Sequence, residues 1–214
     1  MSNSVRQGIV SNIKHANVRA NRTSLAVHSK VGRIKSVVNH RMTIIVDDAG
    51  SGDLLFGVVI GAFRVENQDF RYDVIDTRYF QPPLFSSKEY LRQASGIVFS
   101  LFEKLGLGQD ESIMICRGNI FDVAMDDLVL KYGKNRVSRV KVTGTAQFFT
   151  ETAYIDEISN LGYTSLVNRD EERAKSFHDM MEWLEANPKM VKYAKTGWPR
   201  LSRYRFFRRI SQLD

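Results

Sequence analysis

Cysteine occurs once, at Cys116. A lone thiol excludes an intrachain disulfide and any multi-cysteine metal cage. No apolar run approaches the roughly 20 residues needed to span a membrane. No apolar core of a signal peptide follows Met1. A reducing cytoplasm is therefore the expected compartment, and no membrane partner is expected. The four histidines, His15, His28, His40 and His178, form no pair at metal-binding spacing. A GxSxG nucleophile elbow and a GxxxxGK[ST] phosphate loop are both missing. Heptads, internal repeats and low-complexity tracts are absent as well. Serine-hydrolase, P-loop, zinc-cage and membrane classes thus fall away.

Acid is missing from two long stretches. Residues 1–41 hold eight Lys/Arg and no Asp or Glu, and residues 189–209 hold eight more and again no acid. Between them, residues 42–188 carry 15 bases and 23 acids, a net charge of −8 inside a chain of net +7. An acidic body with basic ends suggests RNA, DNA or another polyanion as partner. The alternative is that the ends lie on the body and neutralise it. The expected organisation is a basic N-terminal extension with short strands (1–41), an α/β core (42–188) and a basic, aromatic C-terminal tail (189–214).

The 214 residues are 43% apolar, enough for a core of ordinary size. Residues 43–46, 54–63 and 70–80 are apolar or alternating and predict three strands joined by short turns. Ser86 and Glu89 have capping-box spacing before a helical stripe that runs from Leu91 to Leu105 and stops at Gly106. Residues 112–116 predict a fourth strand, and 120–132 a helix. The segment from Arg136 to Thr145 predicts a further strand. A helix through residues 151–162 and a short strand at 163–167 come next. Asn168 and Glu171 repeat the capping-box spacing before a last long helix. Strands grouped early and strand–helix units later predict an α/β fold with a mixed sheet flanked by helices.

In such a sheet the carboxyl ends of parallel strands open on one crevice, where ligands bind. Three segments would meet there: Asp47-Asp48-Ala49-Gly50-Ser51, Arg117-Gly118-Asn119 with Asp122 one turn on, and Thr143-Gly144-Thr145. The aspartates either hold a metal, face a phosphate or make the turn. Gly50, Ser51, Arg117, Asn119 and Thr145 are the candidate phosphate-binding residues. In the tail, Lys192, Lys195, Arg200, Arg203, Arg205, Arg208 and Arg209 alternate with aromatics that include Trp198. That pattern suits single-stranded nucleic acid, with bases on the rings and phosphates on the cations. The other arrangement packs the rings on the body and leaves the cations in solvent.

The stretch IIVDDAGSGDLLFGVVIGAF resembles the first two strands of type 2 ribonucleases H, and the element order over residues 42–160 resembles the ribonuclease H-like fold. The resemblance implies a divalent-metal-dependent nuclease, a hydrolase using Mg²⁺ or Mn²⁺. Asp47 or Asp48 would be the first ligand and Asp122, with or without Asp126, the second. Glu151, Asp156 or Asp179 would supply a later carboxylate. The chain departs from that pattern where its fourth strand ends in Arg117-Gly118-Asn119, without an acid, and where Asp rather than Glu is the second acid of the pair. Asp48-Ala49-Gly50-Ser51 also resembles the first phosphate loop of actin-like ATPases and sugar kinases, although the chain has room for about one copy of a fold those enzymes use twice. The alternatives to a nuclease are a non-catalytic ribonuclease H-like module that binds nucleic acid or protein, and a phosphate- or nucleotide-binding enzyme.

Overall fold

A computed structural model describes residues 42–166, 169 and 172–210. The strands expected before residue 42 and the capping box at Asn168 and Glu171 lie outside the described residues. Five strands, β1 (Thr43–Ala49), β2 (Val58–Arg64), β3 (Asp69–Ile75), β4 (Ser112–Cys116) and β5 (Val137–Val140), form one sheet. Its order is β3-β2-β1-β4-β5. The first three strands are an antiparallel meander, and β4 and β5 run parallel to β1. This is the mixed α/β sheet in ribonuclease H-like layout.

Helices cover both faces. α1 (Glu89–Leu105) and α2 (Asp122–Tyr132) lie on one, and α3 (Thr145–Asn160) packs on β1 and β2 from the other. α4 (Arg173–Ala186) and α5 (Arg205–Ile210) join the α3 side. Alternation in β2 shows why its sequence carries no polar side chain from Val58 to Phe63. Val58, Ile60 and Ala62 enter the core under α1, while Val59 and Phe63 enter the opposite face. A strand buried on both sides has no polar phase. α1 presents Ala94, Val98, Leu101, Phe102 and Leu105 to the sheet, and each large side chain so buried contributes about 1.5–3 kcal/mol. Gly106, with φ 66°, ends the helix as expected: its N–H reaches Glu103 O and the Leu107 N–H reaches Phe102 O.

Several expectations are corrected. The first strand does not stop at Val46; pairing continues through Asp47, opposite Gly61, and Asp48, opposite Ile60. The second begins at Val58, because Leu54 and Leu55 are drawn into the core as a buried loop. The third ends at Ile75, and residues 77–80 coil into a 3₁₀ turn capped by Asp76. The capping box at Ser86 does not form. Ser86 donates to Pro83 O, Lys88 occupies the cap in the left-handed region, and Glu89 pairs with Arg92. Residues 163–166 form no strand, since Tyr163 is taken into the core beside Trp183.

The C-terminal segment is built into the molecule. Ala194, Leu201 and Phe207 are buried with Leu54, Leu55, Tyr154 and Met180. Residues 188–193 and 199–203 are 3₁₀ turns that start at prolines. Ala194 bridges Leu55, and the Lys195 N–H reaches Leu54 O at 2.9 Å.

Candidate functional site

The parallel strands β1, β4 and β5 end on one side of the sheet. A cleft of about 390 Å³ opens there. Asp47 and Asp48 form its floor with Cys116. The parallel pairing of β1 with β4 ends at Val46 and Ile115, so the next residues, Asp47 and Cys116, stand side by side just past it. One oxygen of each carboxylate and the Cys116 Sγ lie within 4.8 Å of one another.

Asp47 is only 5% exposed. Burial pushes its carboxyl from 3.8 up to about 6, against the hydrogen bond donated by the Cys116 thiol, and the negative charge of Asp48 adds to the rise. Asp48 is raised too, by burial, while a hydrogen bond with Ser51 and the charge of Lys195 oppose the shift. Burial pushes the Cys116 thiol to about 11, with Asp47 and Asp48 adding to it. Cys116 is therefore a thiol at neutral pH and a hydrogen-bond donor to Asp47, not a thiolate nucleophile.

Glycine makes two close approaches possible. Gly50 turns the chain after β1 at φ 82°, and a Cβ there would sit 2.1 Å from the Tyr154 ring. A Cβ on Gly118 would sit 2.9 Å from the Asp48 Oδ1. The turn after β4 can thus approach the Asp48 carboxylate only because residue 118 has no side chain.

Basic residues rim the cleft. Arg117, Lys141 and Arg173 are exposed, come from three separate segments, and form no ion pair among the described residues. Arg169 is different. It is 6% exposed, pairs with Asp53 and Glu151, and lies over the Tyr154 ring at 4.7 Å. This paired group closes one wall of the cleft.

Beneath the turn lies Lys195, fully buried. Its Nζ donates to the carbonyls of Gly50 at 2.6 Å, Asp53 at 2.8 Å and Leu55 at 3.5 Å. Burial pushes its ammonium down to about 7. Asp53 and Asp48 oppose that shift, and Arg169 reinforces it.

Of the residues selected from sequence, Asp47, Asp48, Gly50, Ser51 and Arg117 line the cleft. Asp122 is not in the carboxylate group; it accepts from Arg139 at 2.7 Å at the start of α2. Asn119 and Thr145 are exposed and outside the lining residues, and Asp126 and Asp156 face solvent. Asp179 accepts from the Tyr163 hydroxyl at 2.6 Å. Glu151 lines the cleft but is held by Arg169. In the C-terminal segment, Lys195 cannot meet a ligand at the surface, because its ammonium is spent on three carbonyls under the turn. Arg200 lies over Trp198 at 4.4 Å and over Phe177 at 5.0 Å, and Arg208 donates to Ser202 O and Arg203 O. Lys192, Arg203, Arg205 and Arg209 are exposed. Sequence reasoning passed over Lys141, Arg169 and Arg173, and took from Cys116 the exclusion of a disulfide and a multi-cysteine cage. Lys141 fell inside the strand expected to run to Thr145, whereas β5 stops at Val140 and leaves Lys141 just past its carboxyl end.

No protein-family model matches the chain, and no curated protein does. Among solved structures, Bst-RNase HIII in complex with Mn²⁺ is similar at 13% identity, over 81% of this chain and 71% of that one, with a TM-score of 0.48. A point-mutant protein of Bst-RNase HIII is similar at 14% identity, over 82% and 74%, with a TM-score of 0.47. The function of the cleft rests on its own side chains.

Proposed function

We propose that this chain is a nucleic-acid-processing protein whose cleft binds one divalent cation, Mg²⁺ or Mn²⁺, and hydrolyses a phosphodiester there. The observation that carries the reading is the division of charge. Two carboxylates converge on the floor, and three bases with no ion pair among the described residues stand on the rim. A floor of this kind attracts a cation, and a rim of this kind attracts phosphate.

The donor set fits a hard cation. Mg²⁺ keeps several waters and is commonly held by one or two carboxylates together with substrate phosphates. Asp47 and Asp48 supply two carboxylates, and each is raised by burial, so a cation would relieve their cost of ionisation. Cys116, as a thiol, does not bias the site toward soft metals. Such an ion supplies Lewis-acid polarisation of a phosphoryl oxygen. The chain's own groups do the rest. Asp47 and Asp48 hold the ion. The Cys116 thiol and the Asp48 N–H donate to the Asp47 carboxylate and fix its orientation. Arg117, Lys141 and Arg173 draw in the phosphodiester and offset its charge. Lys192, Arg203, Arg205 and Arg209 are proposed to hold more distant phosphates of an RNA or DNA strand.

Incubation of the purified protein with single-stranded RNA, DNA and RNA–DNA hybrids in Mn²⁺ or Mg²⁺ tests this directly. Cleavage in the wild type, lost in Asp48→Asn and in EDTA, is the expected result. A second reading has its own observation. The two further carboxylates that line the cleft, Asp53 and Glu151, are both ion-paired to Arg169. On that reading the chain is a non-catalytic module, and the assay returns salt-dependent binding without cleavage.

A further inference from the structure

Lys195 stands 145 residues from Gly50 in sequence, yet its ammonium is the shared donor for three carbonyls of one short loop. The loop is the one that leaves β1 after Ala49, one residue past Asp48. The main chain beside Lys195 grips the same loop: Lys195 N–H to Leu54 O at 2.9 Å, and Phe56 N–H to Tyr193 O at 2.6 Å. Gln81 holds the segment from outside, its Nε2 donating to Lys192 O at 3.0 Å and Ala194 O at 2.9 Å.

A hydrophobic core has no ordinary use for this arrangement. A buried ammonium costs several kcal/mol to desolvate, and an aliphatic residue would fill the volume without that cost. What the cation adds is geometry. Three carbonyls that would otherwise diverge converge on one nitrogen, and the turn is fixed around it. Ser51 lies in that turn and hydrogen-bonds Asp48. The position of the Asp48 carboxylate therefore depends on the turn, and the turn depends on Lys195.

We propose that Lys195 is a positioning residue of the carboxylate site: it holds the turn from Gly50 to Leu55 so that Ser51 orients Asp48 for a divalent cation. The inference rests on the cation-binding reading above. It makes the C-terminal segment part of the site although none of its residues reaches the cleft.

The test is Mn²⁺ titration by calorimetry on the full chain, at a temperature well below unfolding. Lys195→Met keeps the apolar stem and removes the donor. It is expected to lower Mn²⁺ affinity about tenfold, the usual size of an outer-shell effect. Gln81→Ala leaves the core untouched and loosens the segment; it is expected to weaken Mn²⁺ binding about threefold. Met180→Ala, in the same core but making none of the hydrogen bonds that hold the loop, controls for stability loss and is expected to keep wild-type affinity. Unchanged affinity in both Lys195→Met and Gln81→Ala overturns the inference and leaves the cation reading standing. If Lys195→Met does not fold, Gln81→Ala against Met180→Ala decides, and equal affinities overturn the inference. No Mn²⁺ binding by the wild type overturns the cation reading itself and this inference with it.

Discussion

Ionising Asp47 places a second negative charge beside Asp48 in a site that water barely reaches. Its carboxyl is raised from 3.8 to about 6, so the folded protein holds that proton over a range where the unfolded chain has lost it. The stabilisation from Asp47 is complete below the unfolded value and is lost as pH rises through about 6. Asp47→Asn is therefore expected to stabilise the metal-free protein at pH 8, by about 3 kcal/mol at most, and the gain should vanish toward pH 4. Thermal melts in EDTA between those pH values check it, and a pH-independent difference would contradict it. Mn²⁺ affinity should move the other way, rising through about pH 6 as the ligand gives up its proton. At this scale the sequence was informative about Asp47 and Asp48, since charge at the end of an apolar run is locally visible. It was silent about Arg169 and set Lys195 among the surface bases of the tail, because the roles of both come from contacts more than a hundred positions away.

Elements came through where one period dominated and failed where tertiary contact overrode it. α1 was legible from its apolar stripe and its terminal glycine, yet its start was not. The Ser86 hydroxyl found Pro83 O, so the box spacing had no partner to cap. Leu54 and Leu55 read as strand because they are apolar, but Lys195 and Ala194 pull that segment out of the sheet. Two turns matter most to the site. Gly118→Ala would press a methyl toward the Asp48 Oδ1, and about tenfold weaker Mn²⁺ binding with a near-normal melt is expected. Gly50→Ala meets both a positive φ and the Tyr154 ring. It should cost about 2–4 kcal/mol in urea unfolding, and a loss under 0.5 kcal/mol, roughly the size of a neutral surface change, would contradict the packing described.

For the whole molecule, the charge division seen in the sequence survives in part. The acidic body and the exposed bases of the C-terminal segment are both present, but that segment is anchored by Ala194, Leu201 and Phe207 in the second core. Its integration was illegible because the aromatic and basic pattern is the same whether rings stack on bases or pack on the body. If Arg203, Arg205 and Arg209 contact nucleic-acid phosphates, their triple alanine variant should lower the slope of log affinity against log salt by about 2–3 on single-stranded RNA. An unchanged slope would place the polyanion elsewhere. Among the described residues no helix is long and apolar enough to cross a membrane.

The central claim is that Asp47 and Asp48 hold a divalent cation. Mn²⁺ titration by calorimetry, wild type against the Asp47→Asn/Asp48→Asn double variant, with circular dichroism to confirm folding, tests it most directly. We predict one Mn²⁺ per wild-type chain and none in the folded variant. Equal binding by the two proteins would contradict the claim, and Asp47 and Asp48 would then be the end of a strand and nothing more.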